Sequence, residues 1–206
     1  MGEGVVRRSP AGVRRVPVQA RSRRKVEAIL DAARDLLLSG GMARLSVDAL
    51  ADRAGVAVGT IYQFFPGKEA VLNELAGQSL AKARVWLAEL QGEPVAAREW
   101  SERLDLLVAR MAQSWRNDAM IWDPAWTTPE MRQASDAFDG ELATIVERIL
   151  ADAGVAMARR RTMATIIVES TASVLDRWAR QGAPGQDVPA EIRTMLGSYI
   201  HAARPS

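Results

Sequence analysis

Thr60, Tyr62, Gln63 and Lys68 stand close together in the chain, and what they offer is recognition of edges and charges, not bond breaking. A hydroxyl and a phenol suit contacts to phosphate oxygens, and a tyrosine ring also lies well against a thymine methyl group. A glutamine amide can pair in bidentate fashion with adenine. Lys68 follows Pro66-Gly67 at an expected helix start, where an ammonium and free backbone N–H groups can both meet a phosphate. Arg21, Arg23 and Arg24 are phosphate or minor-groove candidates, and Arg44 or Arg53 can add base readout. The residues of catalysis are thin by comparison. There is no cysteine, so thiolate nucleophiles, disulfides and thiolate metal sites are excluded. His201 is the one histidine, which makes a Ser-His-Asp triad or a histidine-rich metal site implausible. Gly67-Lys68 lacks the following Ser/Thr and the upstream glycine of a phosphate-binding loop. The expectation is a non-enzyme with no metal and no cofactor.

The elements that must position these side chains read as short helices. Val47, Leu50, Ala51 and Ala54 recur at helical spacing, with Ser46 as N-cap and Asp48 in the first turn. Gly55 supplies a sharp turn, and Val56, Ile61, Phe64 and Phe65 form a second apolar set. Two short helices that cross closely need a small residue at the contact and a glycine at the turn, and Ala51 and Gly55 meet both needs. This is a helix-turn-helix, whose second helix, about Val58 to Phe64, enters a major groove. Phe64, Phe65 and Ile61 read as core on their stripe position. A first helix is expected from about Arg21 to Leu38, closed by Ser39-Gly40-Gly41, and a long fourth one from about Lys68 to Gln91. Further helices are expected at about Ala96 to Arg116, Pro129 to Ala153 with Thr128 as cap, Ala156 to Gln181, and Pro189 to Ala202. No alternating pattern argues for a sheet. The fold class is all-α: a three-helix head with a helix-turn-helix, then a C-terminal helical bundle.

Charge is unevenly spread over the 206 residues. Up to residue 25 there are eight basic side chains and one acid, leaving nineteen basic against twenty-four acidic for the rest. A basic arm just before a groove-reading unit is what phosphate neutralisation requires. Residues 1–19 read as a disordered basic arm, 20–67 as the DNA-binding domain, and 68–206 as a ligand-binding and dimerisation domain. No apolar run is long enough to cross a membrane, and no apolar stretch follows the N-terminal arginines as a secretory signal requires, so a cytoplasmic location is expected.

The stretch A-D-R-A-G-V-A-V-G-T-I-Y-Q-F-F-P-G-K-E-A-V, Ala51 to Val71, resembles the DNA-binding signature of the TetR/AcrR family of bacterial transcriptional regulators. Gly55-Val56, Gly59-Thr60, Tyr62, Phe65-Pro66 and Lys68-Glu69-Ala70 carry the match, and Glu27 to Ala33 fits the family's first helix. The resemblance covers roughly residues 20–75. It implies a homodimeric repressor that sets its two reading helices in successive major grooves of double-stranded operator DNA, roughly 34–36 Å apart. It also implies that a small-molecule effector in the C-terminal domain moves the fourth helix and releases the DNA. On this match Ser46, Ala57, Val58, Gly59, Thr60, Tyr62, Gln63 and Lys68 face the operator. Several relatives carry Ser, Thr, Lys or Arg where this chain has Ala57 and Val58. Two apolar side chains there contact only thymine methyls, so specificity leans on Gln63, Arg44, Arg53 or DNA shape.

All six tryptophans lie beyond the head. Trp115, Trp122 and Trp126 cluster in sequence with Met111, Met120 and Met131, as a cavity for a bulky apolar or planar ligand would require. Phe138 and Glu169 complete the expected ligand set, Glu169 as a partner for a cationic group. The bland alternative is ordinary core and surface aromatics. Met163, Ala164, Ile166, Ile167, Val168, Val174 and Leu175 make the helix at 156–181 apolar on more than one face, one toward a ligand core and one toward a partner subunit. With the helix at 189–202 it can form a four-helix dimer interface. Two other readings stay open: a helical module that sequesters a small molecule, and a ligand-independent DNA-binding protein.

Overall fold

The computed structural model describes residues 20–92, 95–118, 127–185 and 187–205. Among them are eight α-helices and no strand: α1 (Ala20–Gly40), α2 (Val47–Ala54), α3 (Val58–Phe64), α4 (Lys68–Gln91), α5 (Trp100–Asp118), α6 (Pro129–Asp152), α7 (Met157–Arg180) and α8 (Asp187–Ala203). The chain is all-α, as its patterning implies. The arm at residues 1–19 lies outside the described residues, as do Trp122 and Trp126.

Contacts divide the chain into two compact units. One holds the described residues of Met1–Gln78 and Met120–Met131, the other those of Ser79–Ala119 and Arg132–Ser206. The division falls inside α4 and not at its start, because Ala70, Val71, Leu72, Leu75 and Ala76 bury themselves in the core of the first unit. That core is built by Ile29, Leu30, Ala33 and Leu37 of α1 with Leu50, Ala51, Ile61, Phe64 and Phe65. Each large apolar side chain removed from water there contributes roughly 1.5–3 kcal/mol before the entropy of ordering is charged against it. Between α1 and α2 the chain makes one 3-10 turn (Gly41–Arg44), which the sequence pattern did not announce.

In the second unit α7 buries Met163, Ala164, Ile167, Val168, Thr171 and Leu175, and α8 buries Ile192, Leu196 and Ile200. Ile166 and Val174 are 48% and 43% exposed, so α7 is covered on one face only within this chain. Arg103 on α5 is buried and neutralised by Asp152 of α6. Arg84 of α4 pairs with Glu141 of α6 at 3.0 Å. The start of α5 differs from the expected Ala96. The N–H groups of Val95 and Ala96 both donate to the Gly92 carbonyl, a turn that delays the helix until Trp100. Thr128 caps α6 as expected, its Oγ1 accepting from the Met131 N–H at 3.2 Å.

Candidate functional site

The helix-turn-helix is set by three local features. Ser46 has an extended backbone, and its Oγ accepts from the Ala49 N–H at 3.1 Å, which fixes the start of α2. Gly55 ends α2 with φ 65° and ψ 36°, left-handed values that side chains with a Cβ adopt at a cost. The Val56 N–H then closes on the Ala51 carbonyl at 3.0 Å, so the chain turns at once into α3. Ile61 and Phe64 anchor α3 from beneath, with 0% and 6% of their surface exposed, and Phe65 follows at 0%.

The opposite face of α3 is open. Ala57, Val58, Gly59, Tyr62 and Gln63 are all exposed, while Thr60 is half-buried. Tyr62 keeps 46% of its surface accessible, which rules out a packed core tyrosine. Helical spacing puts Gly59 at the centre of this face, one turn before Tyr62 and Gln63. A Cβ built on Gly59 would meet nothing within 4 Å, so nothing inside the chain requires a glycine there. Arg21, Arg23 and Arg24 are exposed on the opening turns of α1.

Two expected DNA-facing cations and one hydroxyl have partners of their own. Arg53 pairs with Asp35 of α1 at 2.7 Å and is thereby committed within the unit. Lys68 is half-buried and its Nζ donates to the Leu45 carbonyl at 3.5 Å, tying the start of α4 to the segment before α2. Arg44 is exposed but its stem lies over Gly40, where an added Cβ would come within 2.7 Å of it. The Ser46 hydroxyl serves the cap of α2.

The described members of the aromatic and methionine set are not brought together as one lining, and Met120, Trp122 and Trp126 lie outside the described residues. Met131 belongs to the core of the first unit, because the start of α6 packs there. Met111 is buried in the second unit, and Trp115 is half-buried. Phe138 packs edge-on against Trp86, with ring centroids 6.0 Å apart. Glu169 lines a different kind of cavity, about 270 Å³ between α6 and α7, with Asp136, Asp139 and Thr165. Burial, then the charges of Glu169 and Asp136, push the Asp139 carboxyl up to about 6. A second cavity of about 270 Å³ lies between α4 and α5, with Lys82, Trp86, Arg110 and Asn117 among its lining residues. Sequence reasoning missed it, since its polar residues have the spacing of ordinary solvated helix faces. No group of three or more His, Cys, Asp or Glu suited to a metal ion occurs among the described residues.

Comparison with known proteins agrees with this geometry. Residues 29–75 match the family model of bacterial regulatory proteins, tetR family. The HTH-type transcriptional repressor KstR of Mycobacterium tuberculosis is 26% identical over 94% of this chain and 93% of its own. The HTH-type transcriptional regulator EthR of the same species is 42% identical over 67 residues, covering 32% of this chain and 31% of EthR. The crystal structure of the transcriptional regulator FadR from Bacillus subtilis, in complex with stearoyl-CoA, superposes with a TM-score of 0.64 at 21% identity, covering 82% of this chain and 96% of that one. The matched segment spans the capped α2, the glycine turn and the open face of α3. The likeness to KstR runs nearly end to end, and the fold is shared across the length of FadR. Residues 29–75 therefore form a DNA-binding segment of the tetR family of bacterial regulatory proteins, and the chain as a whole is similar to transcriptional regulators that carry one.

Proposed function

We propose that this protein is a repressor that binds a pseudo-palindromic operator as a homodimer and leaves it when a small apolar or aromatic molecule binds the second unit. The observation that carries the reading is the open face of α3, where Val58, Gly59, Tyr62 and Gln63 stand exposed over a buried Ile61 and Phe64. Tyr62 and Thr60 contact phosphates or a thymine methyl, Gln63 reads a base edge, and Ala57 and Val58 discriminate by methyl contact. Arg21, Arg23, Arg24 and Arg44 neutralise phosphates, as does Lys68 where its bond to Leu45 leaves protons to share. The second subunit packs through the helices at 156–181 and 189–202, whose uncovered apolar residues Ile166, Val174 and Met195 support an interface there. Residues 68–206 form the ligand-binding and dimerisation domain in this reading. α4 contributes residues to both compact units, which supports it as the element that an effector moves. The stearoyl-CoA complex of FadR and the repressor name of KstR favour an apolar effector and repression. No helix among the described residues is long and apolar enough to cross a membrane, and a regulator of bacterial transcription works in the cytoplasm.

The test is a gel-shift titration on DNA flanking the protein's own gene at two salt concentrations, with a footprint. A discrete shift that survives moderate salt and protects an inverted repeat is expected. A weak shift that vanishes with salt on every DNA overturns the reading and leaves a small-molecule-binding module.

A further inference from the structure

We propose that the groove between α4 and α5 binds a small oxyanion, a carboxylate, sulfonate or phosphate, carried on a planar apolar body, and that this molecule is an effector. The inference rests on the effector-responsive reading above. The groove's volume of about 270 Å³ lies just under the roughly 300 Å³ at which ligand pockets ordinarily begin. It therefore admits one or two rings and not a long chain.

The character of the ligand follows from which groups in the groove are already engaged. Glu89 holds Arg110 at 3.1 Å, and Asp118 accepts from the Ser79 hydroxyl at 2.8 Å. Both carboxylates of the groove therefore have partners. Lys82 is exposed and makes no hydrogen bond or ion pair among the described residues, so it is the cation of the groove left to meet a ligand, while the Asp118 carboxylate keeps its charge and turns one oxygen to the Ser79 hydroxyl. The indole of Trp86 lines the groove at 9% exposure, and its Nε1–H has no acceptor among the described residues. A buried donor without an acceptor asks for an explanation. An oxygen of a bound molecule provides one once the side chains over the indole nitrogen shift, because that nitrogen is itself covered in the unbound chain. The amides of Gln113 and Asn117 add further donors from α5. For the body of the ligand, the Trp86 ring is held edge-on by Phe138, and Val85 stands 62% exposed beside it. A ring slotted there covers apolar surface while its acid group reaches Lys82.

The probe is 1-naphthalenesulfonate, with 1-naphthalenesulfonamide as its uncharged counterpart, titrated by calorimetry into the full chain. Saturable binding of the sulfonate is expected. Lys82→Ala should weaken it by about fivefold or more, the loss of one charge-assisted hydrogen bond, and leave the neutral probe unchanged. Lys82 is exposed, so folding is not at stake. Trp86→Phe keeps an aromatic side chain of smaller size, removes the indole N–H and should weaken the sulfonate by about threefold more than the neutral probe. No sulfonate binding, equal affinity in Lys82→Ala, or parallel loss for both probes overturns the proposal. The same titration on a protein–operator complex separates it from the reading beneath it. Release of DNA by the sulfonate in both wild type and Lys82→Ala keeps the effector reading and overturns the groove. Lys82-dependent binding without DNA release leaves the anion site standing and overturns its role as an effector site.

Discussion

Gly59→Ala separates what the fold needs from what the DNA needs. Gly59 sits within α3 and carries an ordinary helical conformation. A methyl group added there meets no described atom within 4 Å beyond its chain neighbours and its own helix's backbone. Replacing glycine by alanine in an exposed helix stabilises by about 0.5–1 kcal/mol, since the unfolded chain loses freedom and no clash offsets the gain. For a chain of this length that raises the melting temperature by about 2–4 °C per kcal/mol. The effect on DNA has the opposite sign. Gly59 lies at the centre of the exposed face, between the bearings of Val58, Tyr62 and Gln63, so its Cβ stands where the groove floor must approach. A methyl group held against a base pair pushes α3 outward and weakens its neighbours' contacts together. The expected loss is about tenfold or more in operator affinity, near 1.4 kcal/mol. Calorimetry or circular dichroism reads the first number, and fluorescence anisotropy on the footprinted operator reads the second. A variant that is more stable yet binds DNA as tightly as wild type would refute the close approach of this face to the groove. A variant that is less stable would refute the open space around Gly59.

Four further perturbations probe other parts of the same picture. Ser46→Ala should cost about 1 kcal/mol of stability by removing the cap on α2, while Ser46→Asp restores the cap and loses operator affinity by repelling phosphate, read by melting and anisotropy together. Tyr62→Ala should leave stability within about 0.5 kcal/mol, given its 46% exposure, yet weaken DNA binding by at least about fivefold; unchanged affinity would remove it from the contact set. Ile166→Asp combined with Val174→Asp should convert a dimer to a monomer in analytical ultracentrifugation with helicity retained, since both side chains lie on the uncovered face of α7. Asp139 carries a carboxyl raised to about 6 from 3.8, so between those values the folded chain holds a proton that the unfolded chain releases. Stability therefore falls as pH rises from about 4 to 6 and stays lower above. Asp139→Asn should flatten that slope and stabilise at pH 7 by about 1 kcal/mol, a figure kept small because solvent still reaches the group. Denaturant titrations at pH 5 and 7.5 measure both effects.

Much of the head is legible in the sequence because its punctuation is local. Gly55 must turn left-handed, Ser46 must cap, and Pro66-Gly67 must end α3, so the bounds Val58–Phe64 and Lys68–Gln91 follow from single residues. Where punctuation is weak, the reading slips. The segment after Gly92 contains good helix formers, but competing hydrogen bonds to the Gly92 carbonyl hold it as a turn until Trp100. The helix-turn-helix side chains were also legible by type, but their partners were not. Nothing in the sequence says that Asp35, eighteen positions away, claims Arg53, or that the Leu45 carbonyl accepts a hydrogen bond from Lys68.

The second unit was the least legible, and for a definite reason. Nearness in sequence suggested that Met131 joins Trp115 and Met111, yet a helix can give its first turn to one core and the rest to another. Met131 of α6 packs with the head, while Phe138, two turns on, packs against Trp86 in the second unit. The groove between α4 and α5 unites Lys82 and Trp86 with Asn117, residues that no short window contains. Each of these alone reads as a solvated or packed helix residue. Only the pairing of the two helices leaves, among the described residues, an indole N–H without an acceptor beside an ammonium without a partner. A site defined by what its groups lack is invisible to pattern, because pattern records which residues are present and not which hydrogen bonds remain unmade. The same logic applies to α7, whose sequence is apolar on two faces. Whether Ile166 and Val174 meet a core is decided by the helices packed around them, and the described residues leave about half of each side chain uncovered.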